Sequence, residues 1–196
     1  MIYLVRHGQT EFNAEGRFQG HMDSPLSALG VDQAERVGDR LRDLVGDIAG
    51  VTLISSPLGR TLRTAEIIRE RLGLRAEIEI EPRLIEITVG AWEGRTRDEI
   101  LTEHPTPSRA MLFEAPGGET YDQAAARLSS WLAGLELSDG RRRIVVSHGA
   151  AGWVLRGLYA GLPKAEVLAL PAPPQDTIFR LADGRIERID CAPATA

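Results

Sequence analysis

The chain has one cysteine, and it lacks internal repeats and low-complexity tracts. Because Cys191 has no second cysteine to pair with, no internal disulfide is expected, which suits a reducing cytoplasm. No apolar run is long enough to cross a bilayer, and the first one stops at Arg6, too soon for the core of a signal peptide. We therefore expect a cytoplasmic protein with no membrane partner.

Lysine is nearly absent, since Lys164 is the only one, and the net charge is −5. An acidic balance argues against nucleic acid or an acidic membrane surface as the main partner. The remaining cations are arginines, whose planar forks match flat anions such as phosphate. With 43% hydrophobic and 26% charged residues in a chain of 196, the composition predicts one globular domain over 1–196.

Short apolar runs alternate with amphipathic helical patterns along the chain. The runs predict strands at 2–6, 51–55, 77–81, 143–147, 176–181 and 185–190. Apolar spacing predicts a helix over 28–45, and Ser56-Pro57 predicts the start of a second. Capping boxes at Thr96/Glu99 and Thr120/Gln123 predict two more, the first ended by Pro105, and a further helix follows Gly149.

This alternation favours an α/β fold, namely a three-layer α/β/α sandwich with a mostly parallel central sheet. The segment 90–118, which is rich in Gly and Pro and carries short helices, is expected to be a small helical lid insertion. Ligands of such sheets bind beyond the carboxyl ends of the strands, so the residues that follow each strand are the candidates for a site.

Two of the predicted strands are each followed directly by a His-Gly pair, namely His7-Gly8 and His148-Gly149. Each glycine would allow a ligand to approach the backbone closely. Arg6 precedes the first pair, and Arg60 lies near the start of the helix after Ser56-Pro57. The N–H groups at the start of that helix would point toward the same place. Together these features describe a pocket for a doubly charged anion.

A phosphate monoester fits such a pocket, because arginine forks neutralise its oxygens as the phosphoryl group transfers. A histidine attacks phosphorus only when its ring is uncharged, and an adjacent arginine lowers the pKa of His7. His148 would donate to a phosphoryl oxygen. The leaving alkoxide needs a proton, for which the segment "RLIEITVGAWEG" offers Glu86 and Glu93.

The motifs "LVRHGQTEFN", "SSPLGRTLRTAEII", "LIEITVGAWEG", "PGGET" and "VVSHG" occur in this order. Over about residues 2–160 the chain resembles the histidine phosphatase superfamily, in its phosphoglycerate mutase-like branch. The resemblance implies that His7 is the phosphorylated nucleophile and that Glu86 is the proton donor. It implies a phosphate pocket completed by Arg6, Arg60 and His148, with Asn13, Gln19, Thr10 and Gly149 as substrate-binding candidates. It also implies neither a metal nor an organic cofactor.

Hydrolysis and mutase chemistry both pass through phosphohistidine, and the sequence favours hydrolysis. The mutases of this family have a longer stretch after the acid, with added basic residues that clasp the substrate carboxylate. Here Gly94 to Pro116 is short and includes Met111, Leu112 and Phe113, which suit a leaving group with an organic body. Sugar phosphates, nucleotides and α-ribazole phosphate stay open as substrates, and a homodimer stays open as an assembly.

Plainer interpretations exist for each of these residues. His7 and His148 could be core histidines, Asn13 and Gln19 turn residues, and Glu86 a surface carboxylate. A metal site is disfavoured because no HExxH motif or Cys/His cluster exists. A non-catalytic binder of phosphorylated ligands, which would be expected to have lost the nucleophile or the acid, is a further alternative.

Overall fold

The computed structural model describes residues 1–104, 109–137 and 139–191 of the chain. Six strands form one sheet in the order β3-β2-β4-β1-β5-β6. Strands β1 to β4 run parallel to one another, whereas β5 is antiparallel to both of its neighbours, β1 and β6. The strands are β1 Ile2–Arg6, β2 Val51–Ser55, β3 Glu79–Ile80, β4 Arg142–Ser147, β5 Thr177–Ala182 and β6 Arg185–Asp190. The predicted mostly parallel sheet is therefore confirmed.

Helices connect the strands and cover both faces of the sheet. They are α1 Glu11–Ala14, α2 Ala28–Val45, α3 Gly59–Leu72, α4 Arg97–Glu103, α5 Tyr121–Ala133, α6 Gly149–Tyr159 and α7 Lys164–Ala169. Short 3₁₀ turns occur at Pro82–Leu84, Gly90–Trp92 and Arg109–Phe113. None of the helices in the described residues has the length and apolar character needed to span a bilayer.

The sheet separates the two halves of the core, and the side chains of β1 contribute to both halves. Because side chains alternate across a strand, Ile2 and Leu4 face one side of the sheet and Tyr3 and Val5 face the other. The first pair packs into a cluster with residues of α5, α6 and α7, and the second pair packs with residues of α2 and α3. This arrangement produces the three layers that the sequence predicts.

Several element boundaries differ from the sequence prediction. Strand β3 covers only Glu79–Ile80 of the predicted 77–81, because it lies at the sheet edge with β2 as its single neighbour. Helix α3 begins at Gly59 rather than at Ser56-Pro57, and its N-cap residue, Leu58, makes no side-chain cap. Helix α4 ends at Glu103, and Pro105 lies outside the described residues.

A close backbone contact holds the chain that follows β1. A Cβ atom on Gly8 would lie 2.2 Å from the Gly30 carbonyl oxygen, and one on Gly30 would lie 1.9 Å from the Gln9 carbonyl oxygen. Gly8 is therefore required by the packing of α2 against this segment. The sequence analysis attributed the same glycine to the approach of a ligand.

Residues of the segment 90–118 are anchored in the core. Trp92, Met111 and Phe113 belong to the cluster on the α6 side of the sheet. The ring of Phe113 lies 6.2 Å from that of Trp153 on α6, measured between centroids. These contacts bring the Arg109–Phe113 turn to the carboxyl end of the sheet.

Candidate active site

The two His-Gly pairs meet at the carboxyl ends of β1 and β4. These strands are adjacent and parallel, with Arg6 in register with Ser147. The backbone N–H of His7 donates to the Ser147 carbonyl at 3.0 Å. The rings of His7 and His148 therefore lie edge to face, with 5.3 Å between their centroids.

His7 has one free ring nitrogen. Its Nδ1 lies 2.8 Å from the carbonyl oxygen of Gly8, and because a carbonyl only accepts, Nδ1 carries the proton. Burial lowers the pKa of His7 well below its ordinary value, and the charges of Arg6 and Arg60 lower it further. Nε2 therefore keeps its lone pair at neutral pH, as a nucleophile requires.

His148 is equally buried, with 1% of its surface exposed. Its Nε2 lies 2.6 Å from the Ser56 hydroxyl, while its Nδ1 has no hydrogen-bond partner within the described part of the chain. Burial lowers the pKa of His148 well below its ordinary value, and Arg60, His7 and Arg6 lower it further. The ring is uncharged, and one of its nitrogens is unpaired.

Arg60 is fixed from several directions, although it is almost wholly buried. Its guanidinium donates to the carbonyls of Gly20 at 2.8 Å and Met22 at 2.9 Å, and it pairs with Asp23 at 3.2 Å. Arg6 donates to the carbonyl of Pro173 at 3.0 Å. Burial lowers the pKa of both guanidiniums, yet an arginine stays charged at neutral pH.

The start of α3 contributes to the site in a different way from the prediction. The Asp23 carboxylate accepts from the backbone N–H groups of Gly59 at 2.5 Å and Arg60 at 3.3 Å. These N–H groups are therefore occupied by a side chain instead of pointing freely at a ligand. Asp23 replaces the missing N-cap and also pairs with the Arg60 guanidinium, so it fixes the arginine twice.

Glu86 lies across the start of α6. Its Oε1 accepts from the N–H groups of Ile87 at 3.0 Å and Ala151 at 2.9 Å, and its Oε2 accepts from Ala150 at 3.1 Å. His21 donates from Nε2 to the Glu86 carbonyl at 2.9 Å. The carboxylate lines the cleft beside His7, and Oε2, with a single donor, retains a lone pair for a proton.

Glu93, the alternative acid, is bound within its own loop. Its Oε1 accepts from the Thr88 hydroxyl at 2.6 Å and from the N–H groups of His21 at 3.0 Å and Val89 at 3.3 Å. Burial raises the pKa of Glu93, but these hydrogen bonds outweigh it and leave that pKa below its ordinary value. Glu86 is therefore the better placed of the two carboxylates.

The four substrate-binding candidates divide into two groups. Asn13, Gln19 and Gly149 line the cleft, and Gln19 is 7% exposed with its Oε1 unpaired among the described residues. Thr10 does not line it, because its hydroxyl accepts from the Asn13 N–H at 3.1 Å and caps α1. The Asn13 side-chain oxygen in turn accepts from Gln175 at 2.8 Å.

The cleft has a volume of about 430 Å³. One part of its wall is polar and cationic, and includes Arg17 and Arg97 at the mouth. The other part is apolar and consists of Phe18, Ile87, Val89, Met111, Leu112, Trp153 and Ala172. The described residues hold no group of three His, Cys, Asp or Glu side chains spaced for a metal ion.

Three positions of this site escaped the sequence analysis. Ser56 binds His148, Gln175 binds Asn13, and the Thr64 hydroxyl accepts from the Gly8 N–H at 3.1 Å. Each contact joins residues at least 56 positions apart in the chain. None of these three residues carries a local sequence signal for so distant a partner.

Comparison with known proteins identifies the class to which this site belongs. The family model of the histidine phosphatase superfamily (branch 1) matches residues 2–185. The chain therefore belongs to this superfamily, which confirms the predicted resemblance, and the predicted enzyme is confirmed at that level.

Individual relatives carry the names of both mutases and phosphatases. A Salmonella paratyphi B protein named "Probable phosphoglycerate mutase GpmB" is 42% identical over 197 residues, covering 96% of this chain and 84% of the relative. The mycobacterial glucosyl-3-phosphoglycerate phosphatase, solved with VO3, has a TM-score of 0.76 at 30% identity, covering 91% of this chain and 90% of its own.

A third comparison concerns the fold alone. The α-ribazole phosphatase from Shigella flexneri has a TM-score of 0.77 at 24% identity, and the match covers 100% of this chain and 98% of that protein. The fold of this chain is thus shared with that protein over its whole length.

Proposed function

We propose that this chain is a metal-independent phosphomonoesterase that works through a phosphohistidine at His7. The observation that supports the proposal most directly is the protonation state of the His7 ring. Its Nδ1–H is bound by the Gly8 carbonyl, and its Nε2 is unprotonated beside two guanidiniums. Such a nitrogen attacks a phosphoryl group whose charge the arginines neutralise.

The reaction has two steps. In the first, the Nε2 lone pair of His7 forms the N–P bond, the ester P–O bond breaks, and the leaving oxygen takes a proton from Glu86. In the second, the Glu86 carboxylate takes a proton from water, the water oxygen bonds to phosphorus, and the N–P bond breaks. Arg6, Arg60 and His148 hold the phosphoryl oxygens in both steps, and Asn13, Gln19 and the Gly149 backbone add polar contacts.

The proposed substrate is a small phosphorylated metabolite in the cytoplasm. The apolar wall around Met111 and Leu112 suits an organic leaving group, and we assign the segment 90–118 to the lid of a single domain over 1–196. A sugar phosphate, a nucleotide or α-ribazole phosphate would fit this description. Arg97, which is exposed where it lines the cleft, would favour the member of a substrate panel that carries a second negative group, whereas Arg17 is already paired with Glu15.

The nucleophile is tested with p-nitrophenyl phosphate in the presence of EDTA. We expect turnover that His7→Ala abolishes, and rapid acid-free quenching should trap an adduct on His7 that is stable in base and labile in acid. The matched control Arg63→Ala removes an exposed cation on α3 outside the site and should keep full turnover. Active enzyme that accumulates no such adduct would contradict the proposal.

The acid is tested with a change of leaving group. Glu86→Gln should slow an alkyl phosphate by about 10²–10⁴-fold, because its alkoxide needs the proton. It should slow p-nitrophenyl phosphate much less. Glu93→Gln makes the same change in the alternative acid and should affect both esters alike. Equal slowing of both esters by Glu86→Gln would remove Glu86 from the role of acid.

A phosphoglycerate mutase is the second candidate function. The 42% identical relative bears that name, and the cations at the cleft mouth could hold a substrate carboxylate. A mutase would interconvert 2- and 3-phosphoglycerate after priming with bisphosphoglycerate, and it would release little inorganic phosphate. Measuring both products in one assay separates the two candidates.

A further inference from the structure

Ser56 lies in a rigid position between β2 and α3. Its N–H donates to the Val146 carbonyl at 3.0 Å, and its own carbonyl accepts from the hydroxyls of Ser55 at 2.9 Å and Thr61 at 3.0 Å. Its surface is 0% exposed. These contacts fix the Ser56 side-chain oxygen 2.6 Å from Nε2 of His148, which is its hydrogen-bond partner among the described residues.

Counting protons decides which group donates in this contact. An uncharged imidazole carries one N–H, on Nδ1 or on Nε2. If Nε2 carried it, Nε2 would donate to the Ser56 oxygen, and two buried groups would be left unpaired, namely the serine O–H and the lone pair on Nδ1. If Nδ1 carries it, the serine O–H donates to Nε2, and the Nδ1–H is the one group left unpaired. Because each unpaired buried polar group costs free energy, the second arrangement is favoured.

The position of the ring proton also decides whether His148 attracts or repels an anion. Nδ1 is the unpaired nitrogen of His148, and the ring lies edge-on to His7 and within the field of Arg6 and Arg60. With the proton on Nδ1, this nitrogen presents a donor to a phosphoryl oxygen. With the proton on Nε2, it would present a lone pair and repel the same oxygen.

We propose that Ser56 is a positioning residue that fixes His148 in its Nδ1–H tautomer and so makes Nδ1 a hydrogen-bond donor to the phosphoryl group. The part of this inference that concerns the phosphoryl group rests on the proposed function. The part that concerns the tautomer does not, so the two are tested separately. A tautomer lock of this kind also supplies a donor without adding a further positive charge to the pocket.

The tautomer is measured directly by long-range ¹⁵N–¹H correlation spectra of protein labelled with ¹⁵N-histidine. The His148 signals are assigned with a His148→Gln sample. In the wild type we expect the Nδ1–H form to exceed the Nε2–H form by about tenfold or more. In Ser56→Ala the Nε2–H form, which free histidine prefers in water, should become the major one. Ser56→Thr, which keeps a hydroxyl, should restore the wild-type pattern.

Ser55→Ala is the matched control. Ser55 is as buried as Ser56 and is its neighbour, but its hydroxyl donates to the Ser56 carbonyl and not to a histidine. This variant removes one contact to the Ser56 backbone but keeps those of Val146 and Thr61 and the Ser56 hydroxyl itself, so it should leave the His148 tautomer unchanged. A wild-type His148 protonated on Nε2, or a tautomer that Ser56→Ala does not alter, would overturn the proposal. The wild-type measurement alone decides the matter if Ser56→Ala does not fold.

The kinetic arm uses vanadate and p-nitrophenyl phosphate as probes. Ser56→Ala should lower kcat by about tenfold and weaken vanadate inhibition by a similar factor, with Ser56→Thr restoring both. If the wild type holds the Nδ1–H tautomer but hydrolyses no monoester, the phosphatase proposal fails and the Ser56 assignment is supported. If hydrolysis proceeds with an Nε2–H ring, the Ser56 assignment fails and the phosphatase proposal stands.

Discussion

Acidification should destabilise this fold, because two buried histidines stay uncharged in it. The pKa values of His7 and His148 are lowered by burial well below their ordinary value of 6.5. Below that pH the unfolded chain binds protons that the folded chain does not. For a base whose folded pKa is lowered, stability is therefore full above pH 6.5 and is lost as the pH falls.

The size of the effect follows from proton linkage. Between pH 7 and pH 5 an unfolded histidine with a pKa of about 6.5 gains about 2 kcal/mol from protonation. Two rings that stay neutral in the folded state therefore remove up to about 4 kcal/mol, a large part of a typical stability of about 5–15 kcal/mol. Carboxyl groups whose pKa values are lowered in the folded state, such as those of Asp139 and Glu93, reduce the stability of the fold only as the pH approaches about 4.

Urea unfolding followed by circular dichroism at pH 7, 6 and 5 measures this loss. His7→Asn should reduce the difference between pH 7 and pH 5 by about 2 kcal/mol. The control Ile68→Val lowers stability by about 0.5–1.5 kcal/mol and keeps every histidine, so its pH dependence should match the wild type. A wild-type loss below about 1 kcal/mol, or an unchanged loss in His7→Asn, would refute the reasoning.

Two further predictions concern residues that support the site. Asp23→Ala removes the cap of α3 and the ion pair of Arg60, and should lower the free energy of unfolding in urea by about 1–2 kcal/mol. Asp23→Asn should retain most of the cap. Equal stability of Asp23→Ala and wild type would contradict this role of Asp23. Gln175→Ala removes one of the two donors to the Asn13 side-chain oxygen and leaves the Thr10 N–H as the other. It should raise KM for a phosphate monoester by about 2- to 12-fold, the equivalent of about 0.5–1.5 kcal/mol, with kcat little changed. An unaltered KM would show that Asn13 is held without Gln175.

The elements that local pattern controls were predicted well from the sequence. The periodic apolar positions of α2 predict its bounds, Ala28–Val45, without error, and the capping boxes at Thr96 and Thr120 both form. The apolar run 2–6 likewise predicts the bounds of β1, Ile2–Arg6. In each case the signal and the structure it dictates lie within a few residues of each other, so no tertiary contact has to be known.

The errors arise where tertiary contacts replace local signals. Helix α3 begins later than Ser56-Pro57 suggests, since its cap comes from Asp23, 36 positions away. The His-Gly pairs were found because each follows a strand, whereas the partners of those histidines come from other elements and left no trace in the local sequence.

Fold stability and ligand binding draw on the same buried charges in this site. The Nε atoms of Arg6 and Arg60 have no hydrogen-bond partner in the described part of the chain, and an unpaired buried donor costs about 1–3 kcal/mol. The nearby carboxylates do not relieve this, because Asp23 is engaged by the start of α3 and Glu86 by the start of α6. Under the proposed function, a phosphoryl dianion would offer the oxygens that these donors lack, so the charges that weaken the fold would be the ones that bind the ligand.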